Sequence, residues 1–67
     1  SNDSFTVTKL AIEGNNIYET DNYQLATVVK GDGVVDGFDV KIGDNFLIPQ
    51  HSKIEIDGNM IIMMTTK

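Results

Sequence analysis

Apolar residues in this chain recur at every second position, and the runs they form are short and regularly broken. Phe38, Val40 and Ile42 alternate with Asp39 and Lys41, while Ile54 and Ile56 alternate with Lys53, Glu55 and Asp57. Successive side chains of a strand point to opposite faces, so this pattern describes half-buried strands and not a helix. The breaks are Gly14-Asn15-Asn16, Asp21-Asn22, Gly31-Asp32-Gly33, Asp36-Gly37, Gly43-Asp44 and Asp57-Gly58-Asn59. Alternating runs separated by turn chemistry at such intervals predict an all-β sandwich or barrel. No stretch carries helical periodicity over about ten residues and no Pro/Ser-rich linker divides the chain, so residues 1–67 are expected to form one domain.

Asp36-Gly37, between Val34-Val35 and Phe38, is the clearest hairpin signal, because a type I′ turn needs positive φ at both central residues. Asp57-Gly58 predicts a second. The first strand, from Phe5 to Glu13, keeps Phe5 and Val7 in phase and then shifts to Leu10 and Ile12, which predicts a bulge near Thr8-Lys9. Met60, Ile61, Ile62, Met63 and Met64 break the alternation altogether: both faces of such a strand are apolar, and both need cover. A central strand inside a closed barrel supplies that cover, and so does contact with another domain or subunit, to which flexible methionines are suited.

The chain has 67 residues, a size at which a lone domain is marginally stable, and it contains no cysteine to supply a disulfide or a thiolate metal site. Ten acidic residues stand against five lysines, with no arginine, for a net charge of −5. That balance argues against nucleic acid and anionic membrane surfaces as partners. No apolar run approaches the ~20 residues needed to span a bilayer, and the amino terminus lacks a basic segment followed by an apolar one. A soluble, cytoplasmic protein is expected. Ser1-Asn2 resembles the remnant of an expression tag and carries no weight in the fold argument.

Chemistry-bearing residues are few. The segment from Gly31 to Asp39 places Asp32, Asp36 and Asp39 as a helix-flanked calcium loop would, but Val28 and Lys30 stand at its first and third ligand positions, where a hard cation needs oxygen. The flanking residues are β-branched or broken by glycine, so turn chemistry is the better account. His51, the single histidine, follows Pro49-Gln50 in an expected turn, with no neighbour in sequence to orient it as a base. Glu19, Asp21, Asp32, Asp36, Asp44 and Asp57 fall mostly in turns, where aspartates bond to local backbone. Gly31 and Gly33 do not lie between a strand and a helix, so they make no phosphate cradle.

Lys30-Gly31-Asp32-Gly33 and Gly43-Asp44-Asn45-Phe46-Leu47-Ile48-Pro49 together resemble the sequence motifs of a cupin barrel. The resemblance implies a small cupin-like (jelly-roll type) antiparallel β-barrel or sandwich of about seven or eight short strands. It also locates the metal-ligand positions of a working cupin: counting back from Gly31 puts Gln24 at the glutamate and Tyr18 and Thr20 at two histidines, and counting forward from Gly43 puts Ile54 at the last histidine. Of these side chains only the Gln24 amide is a metal donor at all, and a weak one. The chain is therefore expected to have no catalytic, cofactor-binding or metal-binding residue of its own.

Over nearly its whole length, through Phe5 to Leu10, Gln24 to Gly33, Val40 to Pro49 and Ile56 to Ile62, the chain resembles the carboxy-terminal domain of short bacterial class I mannose-6-phosphate isomerases. That resemblance implies a fragment of a zinc-dependent enzyme interconverting mannose 6-phosphate and fructose 6-phosphate, with zinc held in an upstream catalytic domain by glutamine, histidine and glutamate residues. No matching motif occurs here. The expected role is support of that domain or assembly, with the isolated fragment a homodimer through Met60–Met64 or the Phe5–Ile12 strand. The alternative is a small sugar- or ligand-binding β module using Tyr18 and Tyr23 at a barrel mouth.

Overall fold

The computed structural model describes residues 6–66, which form five strands: β1 (Thr6–Thr20), β2 (Gln24–Val35), β3 (Phe38–Lys41), β4 (Asn45–Ile48) and β5 (Ser52–Thr66). Expectations for Ser1, Asn2 and Phe5 lie outside these residues. All pairings are antiparallel within one sheet of order β1-β5-β2-β3, with β4 pairing the amino end of β2. The all-β reading holds, whereas seven or eight short strands become five, two of them 15 residues long.

The reason for the lower count is that three predicted breaks lie inside strands. Gly14 and Gly33 both pair with Gly58, so three glycines stand in a row across β1, β5 and β2. At Gly58 φ is 133°, and a Cβ there would lie 2.7 Å from both the Asp32 carbonyl oxygen and the Gly33 Cα. No side chain fits such an approach, so glycine lets the backbones close up at the row and the ladder runs through it uninterrupted. The second hairpin expected at Asp57-Gly58 is accordingly replaced by an unbroken stretch of β5.

Asp36-Gly37 does make the predicted hairpin. Val35 pairs with Phe38, and φ is 49° at Asp36 and 85° at Gly37, positive at both central residues as a type I′ turn requires. Asp36 also ties the turn to β5: its backbone N–H donates to the Glu55 carbonyl (2.8 Å), and its carboxylate accepts from the Glu55 N–H (2.9 Å).

The bulge predicted near Thr8-Lys9 is not there, since the β1–β5 register runs unbroken from Thr6↔Thr66 to Thr20↔Ser52. Val7 breaks phase with Leu10 and Ile12 because it lies on the outer face of the sheet, half exposed, while they point inward. The register shift is in β2, between Val28 and Lys30. There the β3–β4 turn takes over the pairing: the Val28 N–H donates to the Asp44 carbonyl (3.0 Å) and the Gly43 N–H to the Val28 carbonyl (2.9 Å).

The core lies on the inner face of the sheet and consists of Ile12, Ala26, Val28, Val35, Ile48, Ile54, Ile56, Met60, Ile62 and Met64, with Leu10, Tyr18, Val40 and Phe46 packed against it. Burying each of the largest, Ile48, Ile56, Ile62 and Met64, contributes about 1.5–3 kcal/mol. β5 is central in the ladder, between β1 and β2, as one reading of Met60–Met64 required. The sheet nevertheless stays open among the described residues, with β1 at one edge and β3 and β4 at the other. Ile61 and Met63 therefore point to an outer face that the described residues cover only in part.

Candidate functional site

Tyr18 and Thr20 are two residues apart near the end of β1 and so share its inward face. Asp21–Tyr23 then turn the chain, and Gln24 opens β2. The turn is tied by the Thr20 hydroxyl, which donates to the Asn22 carbonyl (2.8 Å) and accepts from the Asn22 N–H (3.1 Å). The Gln24 amide nitrogen donates to the Tyr18 hydroxyl at 2.9 Å and to Thr20 Oγ1 at 3.0 Å. Thr20 and Gln24 are each 7% exposed, the two buried polar residues of the described chain. Ile54 stands directly opposite Tyr18 in the β1–β5 register and is also buried. The four positions identified from the cupin motifs are thus one interior cluster.

One atom in it lacks a partner among the described residues: Gln24 Oε1 is buried and accepts no hydrogen bond from them. An unsatisfied buried acceptor costs roughly 1–3 kcal/mol. As a place for a zinc ion the cluster does not fit. Its groups are a phenol, a hydroxyl, a carboxamide and a hydrocarbon, all neutral, whereas zinc is held by imidazole, thiolate and carboxylate. A dication among them would be desolvated with no anion to compensate. Among the described residues no group of three or more His, Cys, Asp or Glu side chains is placed to hold a metal ion.

The other residues singled out in the sequence are scattered. His51 occupies the β4–β5 turn with φ 59°, largely exposed, its Nδ1 3.9 Å from Asp21 Oδ1. Asp44 is used as a turn aspartate, its carboxylate accepting from the Lys41 N–H (3.0 Å) and lying 3.7 Å from Lys41 Nζ. Asp32, Asp39 and Asp44 line an open cleft of about 410 Å³ together with Lys41. The segment once compared with a calcium loop is the end of β2, the hairpin turn and β3, with no helix on either side. Tyr18 and Tyr23 do not form a platform, since Tyr18 turns inward to Gln24 while Tyr23 is 53% exposed.

Beside the polar cluster, an apolar cleft of about 280 Å³ is lined by Val35, Phe38, Phe46, Ile48, Pro49 and Ile54. Two of these residues are register partners of the cluster, Ile48 of Gln24 and Ile54 of Tyr18. Sequence reasoning named the cluster's positions but missed that their side chains bond to one another. The available signal was the i, i+2 spacing of Tyr18 and Thr20, followed at once by a turn and a glutamine.

The described residues contain no helix long and apolar enough to cross a membrane. No curated protein and no solved structure matched the chain. A family model does match, over residues 1–67, and its description is the cupin domain of mannose-6-phosphate isomerase. With all-β architecture, antiparallel pairing and the cupin motif positions gathered in one interior cluster, the chain belongs to the mannose-6-phosphate isomerase cupin domain family.

Proposed function

We propose that this chain is the noncatalytic carboxy-terminal domain of a cytoplasmic mannose-6-phosphate isomerase of carbohydrate metabolism, and that it supports the catalytic domain by packing against it. The observation that carries this reading is the outer face of the sheet. In one row across four strands stand Val7, Thr65, Leu25 and Leu47; in the next stand Lys9, Met63, Thr27 and Asn45; Ala11, Ile61 and Lys30 follow. Val7, Leu25 and Leu47 are each about half exposed. A face on which four strands each present apolar side chains to the outside, with Lys9 and Lys30 set among them, is the kind of face that a partner covers. The interconversion of mannose 6-phosphate and fructose 6-phosphate needs a metal or an acid–base pair to move a proton between adjacent carbons, and on this reading both lie in the partner domain with the zinc.

The isolated chain, given zinc and mannose 6-phosphate, is expected to form no fructose 6-phosphate, and turnover by the chain alone would overturn the proposal. In the intact enzyme, Met63→Lys is expected to lower Tm by about 2–4 °C per kcal/mol of lost packing while leaving KM for mannose 6-phosphate unchanged. A raised KM with an unchanged Tm would place this face at the substrate and not at a domain contact. Separated from its partner, the same face is free to pair with a second copy, so the isolated chain is proposed to be a homodimer.

A further inference from the structure

The interior cluster supports an inference that is independent of what covers the outer face. Tyr18, Thr20 and Gln24 come from two strands joined by a turn and meet through hydrogen bonds of 2.9 and 3.0 Å, and Ile54 faces them from a third strand. Three side chains thus meet by hydrogen bonds and a fourth lies beside Tyr18 on the next strand, so three strands contribute neighbouring positions, as the scaffold of a tetrahedral cation site must. The chemistry there is wrong for a cation and right for something else. Gln24 Nε2 spends its two N–H donors on Tyr18 and Thr20, and Thr20 in turn holds the Asn22 backbone. The amide therefore fastens the end of β1 to the start of β2, as an ion bound between those strands would.

We infer that the cluster is a neutral plug: it takes the place and the cross-strand fastening role of a metal ion, makes the native chain refuse divalent metals, and converts to a cation site when its donors alone are exchanged. Gln24 Oε1 marks the fit. It is the buried side-chain acceptor left without a donor among the described residues, so the plug satisfies one end of the amide and leaves the other unbonded. A carboxylate at this position keeps both oxygens where the amide has its two heavy atoms, and the Tyr18 hydroxyl can turn to donate to it while Thr20 keeps its bond to Asn22.

The test is a titration with zinc by calorimetry and with cobalt by absorption. The native chain is expected to show no saturable site. Tyr18→His/Thr20→His/Gln24→Glu/Ile54→His is expected to bind one equivalent, with the cobalt bands of imidazole and carboxylate coordination. Thr20→His/Gln24→Glu, which leaves the Tyr18 and Ile54 packing intact, is expected to bind more weakly, read as a zinc-dependent rise in Tm. One equivalent bound by the native chain and lost in Gln24→Ala would overturn the inference, as would a folded double variant indifferent to zinc. The fastening role has a readout that needs no metal: in Gln24→Leu the Asn22 amide is expected to exchange with solvent roughly tenfold faster. Unchanged exchange would show that the amide fastens nothing.

Discussion

β5 is one strand in two environments. From Ser52 to Asp57 it buries Ile54 and Ile56 on its inner face and shows Lys53, Glu55 and Asp57 to solvent. From Met60 to Met64 it buries Met60, Ile62 and Met64 inward just as completely, but Ile61 and Met63 stand where the charges stood. The two halves share a neighbour, β1, which follows the division only in part. Asn15, Ile17 and Glu19 flank the polar half, with Asn15 Nδ2 donating to Glu55 Oε2 at 2.8 Å, whereas Val7, Lys9 and Ala11 flank the apolar half, Lys9 opposite Met63. Both halves contribute buried side chains to the core, two from the first and three from the second, so the main difference lies in what the outer face meets. A strand edged by carboxylates and amides is finished by water, and one edged by isoleucine and methionine is finished by another surface.

The comparison depends first on the glycine row that separates the halves. Gly58→Ala would force a Cβ against Asp32 and Gly33 in a backbone conformation that side chains rarely adopt. It is expected to cost on the order of 3 kcal/mol or more, read by denaturant unfolding. A loss under about 1 kcal/mol would mean that the row does not need its glycine. Next, Ile56→Ala and Ile62→Ala delete fully buried side chains, one from each half, and each is expected to cost about 2–5 kcal/mol. A full loss at Ile62 with little at Ile56 would show two separately packed halves and not one core.

The outer faces are then set against each other. Met63→Lys is expected to change the stability of the folded chain by less than about 1 kcal/mol but to shift sedimentation equilibrium from dimer to monomer. An unaffected dimer would remove Met63 from the contact, and a native chain that is monomeric across the accessible concentration range would remove the dimer itself. The smallest effect is expected from Ile17→Lys. Ile17 is 55% exposed on the polar half, so the substitution should move stability by no more than about 0.5 kcal/mol and leave association as it was. Dissociation by this variant as well would erase the distinction between the halves.

Much of this was legible in the residues. Strand content followed from alternation, the Asp36-Gly37 hairpin from its need for positive φ, and the turn roles of Asp44 and His51 from their neighbours. What misled were features with two physical meanings. Asp57-Gly58-Asn59 has the composition of a hairpin turn, yet here a glycine permits close approach of Asp32 and Gly33, and the strand continues through it. The phase slip between Val7 and Leu10 looks like an inserted residue, yet it records an apolar side chain on the outer face. The candidate site was half legible: its four positions could be counted from the motif glycines, while the bonds joining Tyr18, Thr20 and Gln24 could not.

The sequence by itself determined which local conformations are allowed and which chemistry is on hand. Alternation, turn propensity and donor type are properties of residues within a few positions of one another, and they yield strands, a hairpin and an interior set of neutral groups. The tertiary structure alone decided that Gly14, Gly33 and Gly58 stand in one row, that Ile54 faces Tyr18, and that Met63 lies outward while Met64 lies inward. These are matters of register between strands distant in the chain. Register is set by the summed fit of a whole face, because a slip of one residue turns every side chain to the opposite side, and no local pattern contains that sum.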